Sequence, residues 1–217
     1  LLTPVIFVRR CPPPLTVKDD PRLGPERAVI STSYGEIVLG FFPSVAPVTV
    51  KHIVKLFQMG GYNTNEIFRV DKGFVAQIQG VEGGRRARMN KALAAEAAET
   101  VPDEFSDIPH ERGVLSMGKF DEPHTGTSSF SMLLGAAPFL DGKYTVFGRV
   151  VSGDHVLAKL EKVETKREGI FVMPKERIEL QSACIMYADE AGALFASLEE
   201  ARASGSESAS ASPSGKA

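Results

Sequence analysis

Serine, histidine and aspartate residues that could take part in nucleophilic catalysis lie close together between Asp121 and Ser129. Serine hydrolysis needs a hydroxyl, a general base beside it and donors that stabilise the oxyanion. His124 could act as the base for Ser128 or Ser129, but the segment has neither a nucleophile elbow nor an oxyanion-hole motif. A polar loop is therefore favoured over a hydrolase site.

A different kind of chemistry is suggested by one arginine that lies between apolar residues. Phe68 and Val70 flank Arg69, and the period of two in a β-strand places those neighbours on one face and Arg69 on the other. Arg69 would thus face away from a core, where a solvated surface arginine is the commoner case. Phe74 and Gln77 follow, and their odd separation lets them share a face only if a bulge or turn residue intervenes.

The overall charge gives no support for a nucleic-acid or anionic-membrane partner. The 25 Lys and Arg residues and the 27 Asp and Glu residues give a net charge of -2, whereas such partners select a basic surface. A local cluster at Arg85, Arg86, Arg88 and Lys91 could contact phosphate or an acidic partner. A solvated loop is the preferred interpretation.

The two cysteines, Cys11 and Cys184, lie far apart and lack the spacing of a zinc site. We expect packing thiols, with one long-range disulfide as the alternative, and we expect no metal or other cofactor. No apolar run approaches the ~20 residues that cross a bilayer, so no membrane span is predicted.

The first residues suggest that a longer leader was trimmed from this sequence. An apolar stretch over residues 1–8 precedes Arg9 and Arg10, and the chain does not begin with Met. A secretory or organellar lumen is the expected compartment if a leader was removed, and the cytoplasm otherwise.

The elements that must position the candidate residues are mostly short β-strands. Strands are predicted at 28–31, 36–41, 67–71, 74–80, 113–117, 128–134, 144–151 and 177–187. Apolar residues at i, i+3, i+4 and i+7 predict one helix that starts at Pro47 and ends at Gly60, and a second over 155–163. Because strands do not alternate with helices, the pattern favours a closed antiparallel β-barrel over a βαβ sheet.

The chain is expected to form one domain, over residues 28–187, with a tail at each end. The proline-rich residues 1–27 predict an extended arm, because proline fixes φ and lacks an N–H donor. Within the domain, residues 82–100 predict an exposed loop with a frayed helical turn. Residues 188–203 predict a short peripheral helix, and residues 204–217 a disordered Ser/Ala-rich tail that cannot bury enough apolar surface to offset its ordering entropy.

Five segments of the chain form an ordered series. They are Tyr34-Gly35-Glu36-Ile37-Val38-Leu39, Pro47-Val48-Thr49-Val50, Phe68-Arg69-Val70 with Gly73-Phe74-Val75-Ala76-Gln77, Gly113-Val114-Leu115-Ser116-Met117, and Phe139-Leu140-Asp141-Gly142-Lys143-Tyr144-Thr145-Val146-Phe147-Gly148. The series resembles the cyclophilins, a family of peptidyl-prolyl cis/trans isomerases, over most of residues 28–187.

This resemblance implies a mainly β fold, with a closed eight-stranded antiparallel barrel capped by two α-helices and an outer groove that binds X-Pro peptides. It implies catalytic roles for Arg69 and Gln77, and no cofactor. The implied substrate-binding residues are Phe74, Val75, Gly118, Lys119, Phe120, Ser129, Ser131, Phe139, Leu140 and Tyr144. Proline-containing polypeptide segments are the implied partners, and we expect a monomer or a peripheral subunit of a complex.

Several groove positions depart from the family pattern. Ser129 stands where the family usually has glutamine, and Ser131 where it has the phenylalanine of the pocket wall. Phe68, Phe139 and Tyr144 stand where histidine, tryptophan and histidine are usual. Because a buried aromatic wall contributes up to ~2 to 3 kcal/mol of proline-ring burial, we expect reduced efficiency. The alternative is a weakly catalytic or non-catalytic module that holds a proline-containing partner.

Overall fold

A computed structural model of the chain describes residues 20–189, 193–197 and 199–200. Within these residues the strands are Glu26–Thr32 (β1), Gly35–Phe41 (β2), Glu66–Asp71 (β3), Val75–Ile78 (β4), Val114–Met117 (β5), Phe130–Leu133 (β6), Val146–Ser152 (β7), Thr165–Glu168 (β8), Phe171–Pro174 (β9), Ile178–Glu179 (β10), Ser182–Ala188 (β11) and Leu194–Phe195 (β12). The helices are Pro47–Gln58 (α1), Val81–Gly84 (α2), Lys91–Ala98 (α3) and Asp154–Leu160 (α4), with a 3₁₀ turn at Pro138–Leu140.

Most of the described strands form one antiparallel sheet, in the order β10-β3-β4-β6-β5-β7-β2-β1-β11-β12. One chain segment contributes a strand to each end region of this strand order, because β10 pairs with β3 while β11 pairs with β1. Only Leu180 and Gln181 separate β10 from β11. Their N–H groups donate to Asn65 O and Ser31 O respectively, each at 2.9 Å. The predicted strand over 177–187 is therefore two strands, which lie at or near opposite ends of the strand order.

Aromatic rings fill the centre of the core. Phe57 and Tyr62 lie 4.2 Å apart between ring centroids, and Phe130 and Phe147 lie 5.6 Å apart. All four side chains are at most 2% exposed. The buried hydroxyl of Tyr62 donates to Ser128 O at 2.8 Å, which avoids the penalty of an unpaired polar group. Truncation of such a ring to alanine typically lowers stability by about 3 to 5 kcal/mol.

The first predicted helix is confirmed as α1, which begins at Pro47 and is followed by Gly60. The predicted apolar face is buried and includes Val50, Ile53, Val54 and Phe57. This face packs against β1 and β11. The spacing of the apolar residues, with a period of 3.6, was therefore sufficient to predict this helix from the sequence.

The second predicted helix, α4, is shorter than the range 155–163. It ends at Leu160, after which the N–H groups of Lys162 and Val163 bond to the carbonyls of Lys159 and Leu160 at 3.0 and 3.1 Å. Bonds over three residues tighten the chain into a turn of 3₁₀ type. Val163 thus keeps its apolar contact with the core without being helical.

Residues 82–100 do not form the predicted exposed loop, because most of them belong to α2 and α3. Asn90 caps α3, and its Oδ1 accepts a hydrogen bond from Leu93 N at 2.8 Å. Leu93 and Ala97 are one turn apart and both are buried, on the side where α3 contacts α1. The prediction was wrong because alanine offers little apolar contrast in a sequence, although small side chains let two helices approach closely.

A charged contact joins α3 to α1. Glu96 Oε1 lies 3.0 Å from His52 Nδ1, and Lys55 Nζ donates to Glu96 Oε2. His52 Nε2 lies 2.8 Å from Thr127 O, so the same group reaches the segment before β6. Burial raises the pKa of Glu96, but the hydrogen bonds from Lys55 and His52 outweigh it and the pKa is lowered.

We expect this contact to make stability depend on pH in the acid range. A lowered folded-state pKa means that ionised Glu96 stabilises the fold above the ordinary value of 4.5, and that this contribution disappears as pH falls through the lower folded-state value. Glu96→Gln should lower stability at neutral pH by about 1 kcal/mol and flatten the acid profile. Thermal unfolding across the acid range measures both effects. Glu99→Gln on the exposed end of α3 is the control, and identical profiles for Glu96→Gln and the unchanged protein would contradict the prediction.

The predicted helix over 188–203 is wrong for Ala188 and for Leu194 and Phe195, which lie in strands, and agrees with the structure at residues 199–200. Leu194 and Phe195 form β12, which pairs with Ala188 and Tyr187 of β11. Residues 199–200 are helical. The unpaired edge of β11 offers backbone hydrogen bonds that outweigh the local helix preference of this segment.

The remaining predictions for the chain ends lie mostly outside the described residues. Residues 1–19 of the predicted arm and the whole predicted tail over 204–217 are not among them, and neither is Cys11. The last two residues of the predicted arm belong to β1. Cys184 is exposed on β11.

Candidate active site

Four polar residues lie side by side across four strands. In the register of the sheet, Arg69 of β3 is opposite Gln77 of β4, Gln77 is opposite Ser131 of β6, and Ser131 is opposite Ser116 of β5. We call these four residues the polar row. Except for Phe68, their strand neighbours, such as Val70, are buried in the core, so the alternation of the strands turns the polar row to the outside of the barrel.

Arg69 lies on the face opposite Val70, as predicted, but the predicted sharing of one buried face by Phe68 and Val70 is wrong: the buried residues are Ile67 and Val70, and Phe68 is half-buried against Phe171. The pairing of β3 with β4 shifts by one residue between Ile67 and Arg69, so Phe68 is an extra residue in β3. Phe74 lies in the turn before β4, and Gly73 adopts a φ of 72° there. Because Phe74 is outside the strand, its position is not governed by the odd separation from Gln77.

An apolar cluster lies beside the polar row. Its buried members are Val75, Leu133 and Ala137, and its partly buried members are Phe74, Val114 and Leu140. The ring of Phe139, which is 59% exposed, lies 5.4 Å from the ring of Phe74. The structure therefore brings Phe74, Val75, Phe139 and Leu140 together, as the sequence predicted for the pocket.

Gln77 and Ser129 are joined by hydrogen bonds. Gln77 Nε2 donates to Ser129 Oγ at 3.2 Å, and Ser129 Oγ donates to Ile78 O at 2.8 Å. Gly118 N donates to Ser129 O at 2.8 Å, and a Cβ added at Gly118 would lie 2.9 Å from that carbonyl oxygen. Position 118 therefore requires glycine for this close approach. Gln77 is the register partner of Arg69, but its amide N–H is directed to Ser129.

Lys119 and Phe120 directly follow Gly118 in the chain, and Lys119 lies beside Tyr144. Lys119 Nζ is 5.7 Å from the centroid of the Tyr144 ring and 3.9 Å from Asp103 Oδ2. Phe120 is 75% exposed, and its N–H donates to Thr125 Oγ1 at 3.0 Å. Lys119 and Tyr144 thus contact each other, whereas Phe120 has no aromatic partner among the described residues.

A buried histidine extends the polar row, and the sequence did not reveal it. His110 is 2% exposed, with Nε2 3.0 Å from Ser116 Oγ and Nδ1 2.8 Å from Asp141 Oδ1. When Nδ1–H donates to the carboxylate, Nε2 of a neutral imidazole accepts the Ser116 hydroxyl. The backbone N–H of His110 also donates to Asp141 Oδ1 at 2.8 Å, and these hydrogen bonds from His110 lower the pKa of Asp141. Asp141 directly follows Leu140, so this contact anchors one wall of the apolar cluster.

The guanidinium of Arg69 has few polar partners. Its Nη2 donates to Asp71 Oδ2 at 3.4 Å, and its buried Nε has no hydrogen-bond partner in the described part of the chain. The carbon Cζ lies 5.2 Å from the centroid of the Phe74 ring and 5.7 Å from that of the Phe171 ring. Phe171 was missed by the sequence analysis, although Gly169 between two strand-like runs was a hairpin signal.

The alternative hydrolase group is not assembled. Ser128 is 1% exposed, and its Oγ accepts a hydrogen bond from Val81 N at 2.9 Å. His124 Nδ1 accepts a hydrogen bond from Asp103 N at 2.9 Å. Both residues therefore have structural partners, as expected of a polar loop.

Comparison with known families agrees with this geometry. The family model described as cyclophilin type peptidyl-prolyl cis-trans isomerase/CLD matches residues 27–183. The chain belongs to this family.

Individual relatives support the same conclusion. The chain is 59% identical over 163 residues to peptidyl-prolyl cis-trans isomerase CYP23 of Arabidopsis thaliana, covering 75% of this chain and 72% of that protein. It is 30% identical over 164 residues to peptidyl-prolyl cis-trans isomerase B of Escherichia coli, covering 71% and 96%. A crystal structure of a Cryptosporidium parvum cyclophilin type isomerase, in the presence of the dipeptide ala-pro, matches with a TM-score of 0.62 and 25% identity, covering 73% and 98%.

These comparisons confirm the predicted fold class and the predicted activity. The protein is an enzyme, a cyclophilin-type peptidyl-prolyl cis/trans isomerase, and its domain binds proline-containing peptides. A non-catalytic binding module is not favoured. Among the helices of the described residues, none is both long and apolar enough to cross a membrane.

The contact between Asp141 and His110 should influence peptide binding. We expect Asp141→Ala to raise KM for an X-Pro peptide about fivefold and to change kcat less, because the wall that includes Leu140 loses its anchor. Isomerisation rates over a range of peptide concentrations separate KM from kcat. Asp107→Ala, which removes an aspartate without such a partner, is the control, and an unchanged KM in Asp141→Ala would show that the anchor is unimportant.

Proposed function

We propose that Arg69 is the catalytic residue of this isomerase and that the apolar cluster holds the proline ring. Rotation about an X-Pro bond must break amide resonance, against a barrier of about 18–20 kcal/mol. No covalent bond is cleaved, so the reaction requires no nucleophile. In the twisted state the prolyl nitrogen regains a lone pair, and a guanidinium N–H that donates to it stabilises that state more than the planar one.

The observation that carries this proposal is the position of Phe74. This residue belongs to the apolar cluster, and its ring centroid is 5.2 Å from Cζ of Arg69. A pyrrolidine ring packed on Phe74 and Leu140 would therefore hold its nitrogen within reach of the guanidinium. The twisted amide is less polar than the planar one, so apolar surroundings also favour rotation.

Other residues would bind the peptide on either side of the proline. Gln77, the register partner of Arg69, would orient the substrate carbonyl through the second N–H of its amide, since the first donates to Ser129 Oγ. The groove would be continued by Val75, Gly118, Lys119, Phe120, Ser129, Ser131, Phe139 and Tyr144. The net charge of -2 gives no reason to expect a nucleic-acid partner.

The polar row also supports the expected reduction in efficiency. Ser131 is half-buried between Gln77 and Ser116, where a hydroxyl provides much less apolar contact than a phenyl ring. A proline ring in the apolar cluster would therefore pack against carbon on one side and against polar groups on the other. We propose a slow isomerase that acts on proline-containing segments of other polypeptides, as a monomer or a peripheral subunit of a complex.

Arg69→Ala tests the catalytic role directly. We expect kcat/KM in a protease-coupled prolyl-peptide assay to fall about 100-fold, the usual effect of removing a donor that acts on the transition state. The matched control is Arg88→Ala, which removes an exposed arginine from a loop and should leave the rate unchanged. If Arg69→Ala remains as fast as the unchanged protein, Arg69 is not the catalytic residue.

Ser131→Phe tests the cause of low efficiency. An added ring that faces the apolar cluster should raise kcat/KM about tenfold, in line with the burial of part of one aromatic side chain. Ser131→Ala removes the hydroxyl without adding a ring, and it should stay within about twofold of the unchanged protein. No gain in Ser131→Phe, with the fold intact by circular dichroism, would rule out the missing wall as the limiting factor.

A further inference from the structure

The hairpin formed by β8 and β9 reaches the candidate active site from outside the main sheet. Its strands pair only with each other, from Thr165 opposite Pro174 to Glu168 opposite Phe171. The strand β9 packs along β3, which carries Arg69. Phe171 is the first residue of β9, so it lies beside the hairpin turn and next to the polar row.

Phe171 completes a continuous series of rings around Arg69. Its centroid is 5.5 Å from that of Phe68 and 5.7 Å from Cζ of Arg69. On the other side, Phe74 is 5.2 Å from the same Cζ and 5.4 Å from Phe139. The guanidinium therefore has an aromatic neighbour from the hairpin and another from the apolar cluster.

The Arg69 guanidinium is held mainly by contacts with these rings, because it has few hydrogen bonds within the described residues. Among the described residues, the side chain of Arg69 has one hydrogen bond, to Asp71 at 3.4 Å, and its buried Nε has no partner. An arginine side chain has several rotatable bonds, and holding it in one orientation is opposed by the loss of rotamer entropy. A ring over a guanidinium attracts it through the ring quadrupole and leaves its N–H donors available to another group.

We propose that Phe171 is a positioning residue that holds the Arg69 guanidinium beside Phe74, in the orientation that donates to the prolyl nitrogen. This inference rests on the proposed catalytic role of Arg69. The hairpin is thereby part of the active site, although its residues supply no donor to the reaction. Its effect should appear in kcat, because an unrestrained guanidinium still allows the peptide to bind in the apolar cluster.

The experiment compares hairpin variants in steady-state isomerisation of one X-Pro peptide. Phe171→Leu keeps the apolar character but removes the ring, and we expect kcat to fall about tenfold while KM stays within about twofold. Phe171→Tyr restores a ring and should recover the rate to within about twofold. The control is Ile170→Ala, since Ile170 is the neighbouring residue of the same hairpin and is 79% exposed.

A double variant distinguishes positioning from a general loss of stability. If Phe171 acts through Arg69, then Phe171→Leu combined with Arg69→Ala should be no slower than Arg69→Ala alone. An unchanged kcat in Phe171→Leu, no recovery in Phe171→Tyr, or an equal loss in the Arg69→Ala background would overturn the inference.

Arg69→Ala and Phe171→Leu, measured separately, distinguish a failure of the positioning role from a failure of the catalytic role of Arg69. If Arg69→Ala is slow while Phe171→Leu is not, only the positioning role is wrong. If Arg69→Ala is as fast as the unchanged protein, the catalytic assignment itself is wrong, whatever Phe171→Leu does.

Discussion

The pairing of β3, β4, β6 and β5 is the constraint on which the site depends. Because successive residues of a strand point to opposite faces, one register places Val70 and its counterparts in the core and the polar row outside. A shift of one residue would turn Arg69 inward and expose the core. Burial of the core and the proposed catalytic position of Arg69 therefore require the same register.

The site places two opposite environments side by side. The apolar cluster, the proposed site of the proline ring, consists of carbon surface, while the polar row contains a cation, an amide and hydroxyl groups. Phe74 is the point where the two meet, because it contacts both Arg69 and Phe139. Ser131 extends the polar environment toward the pocket, and His110 continues it to Asp141.

The parts of the fold that were predictable are those with a strong period. Alternation identified the strands and the direction of Arg69, and helical spacing identified α1. The contact of His110 with Ser116 and Asp141 was not predictable, because it joins three segments that only the folded sheet brings together. Helix α3 was missed because Ala97 gives little apolar signal. The β8–β9 hairpin had a local turn signal, but its packing of Phe171 on Arg69 is a long-range contact without a sequence period.

The segment that carries β10 and β11 has a consequence for folding during synthesis. It supplies the partner of β3 on one side of the sheet and the partner of β1 on the other. Both of these earlier strands leave the ribosome more than one hundred residues before that segment does. An unpaired strand edge can associate with another chain, and incompletely folded domains are prone to such association. In this isomerase, one edge of β3 and one edge of β1 therefore have no native partner until β10 and β11 have been synthesised.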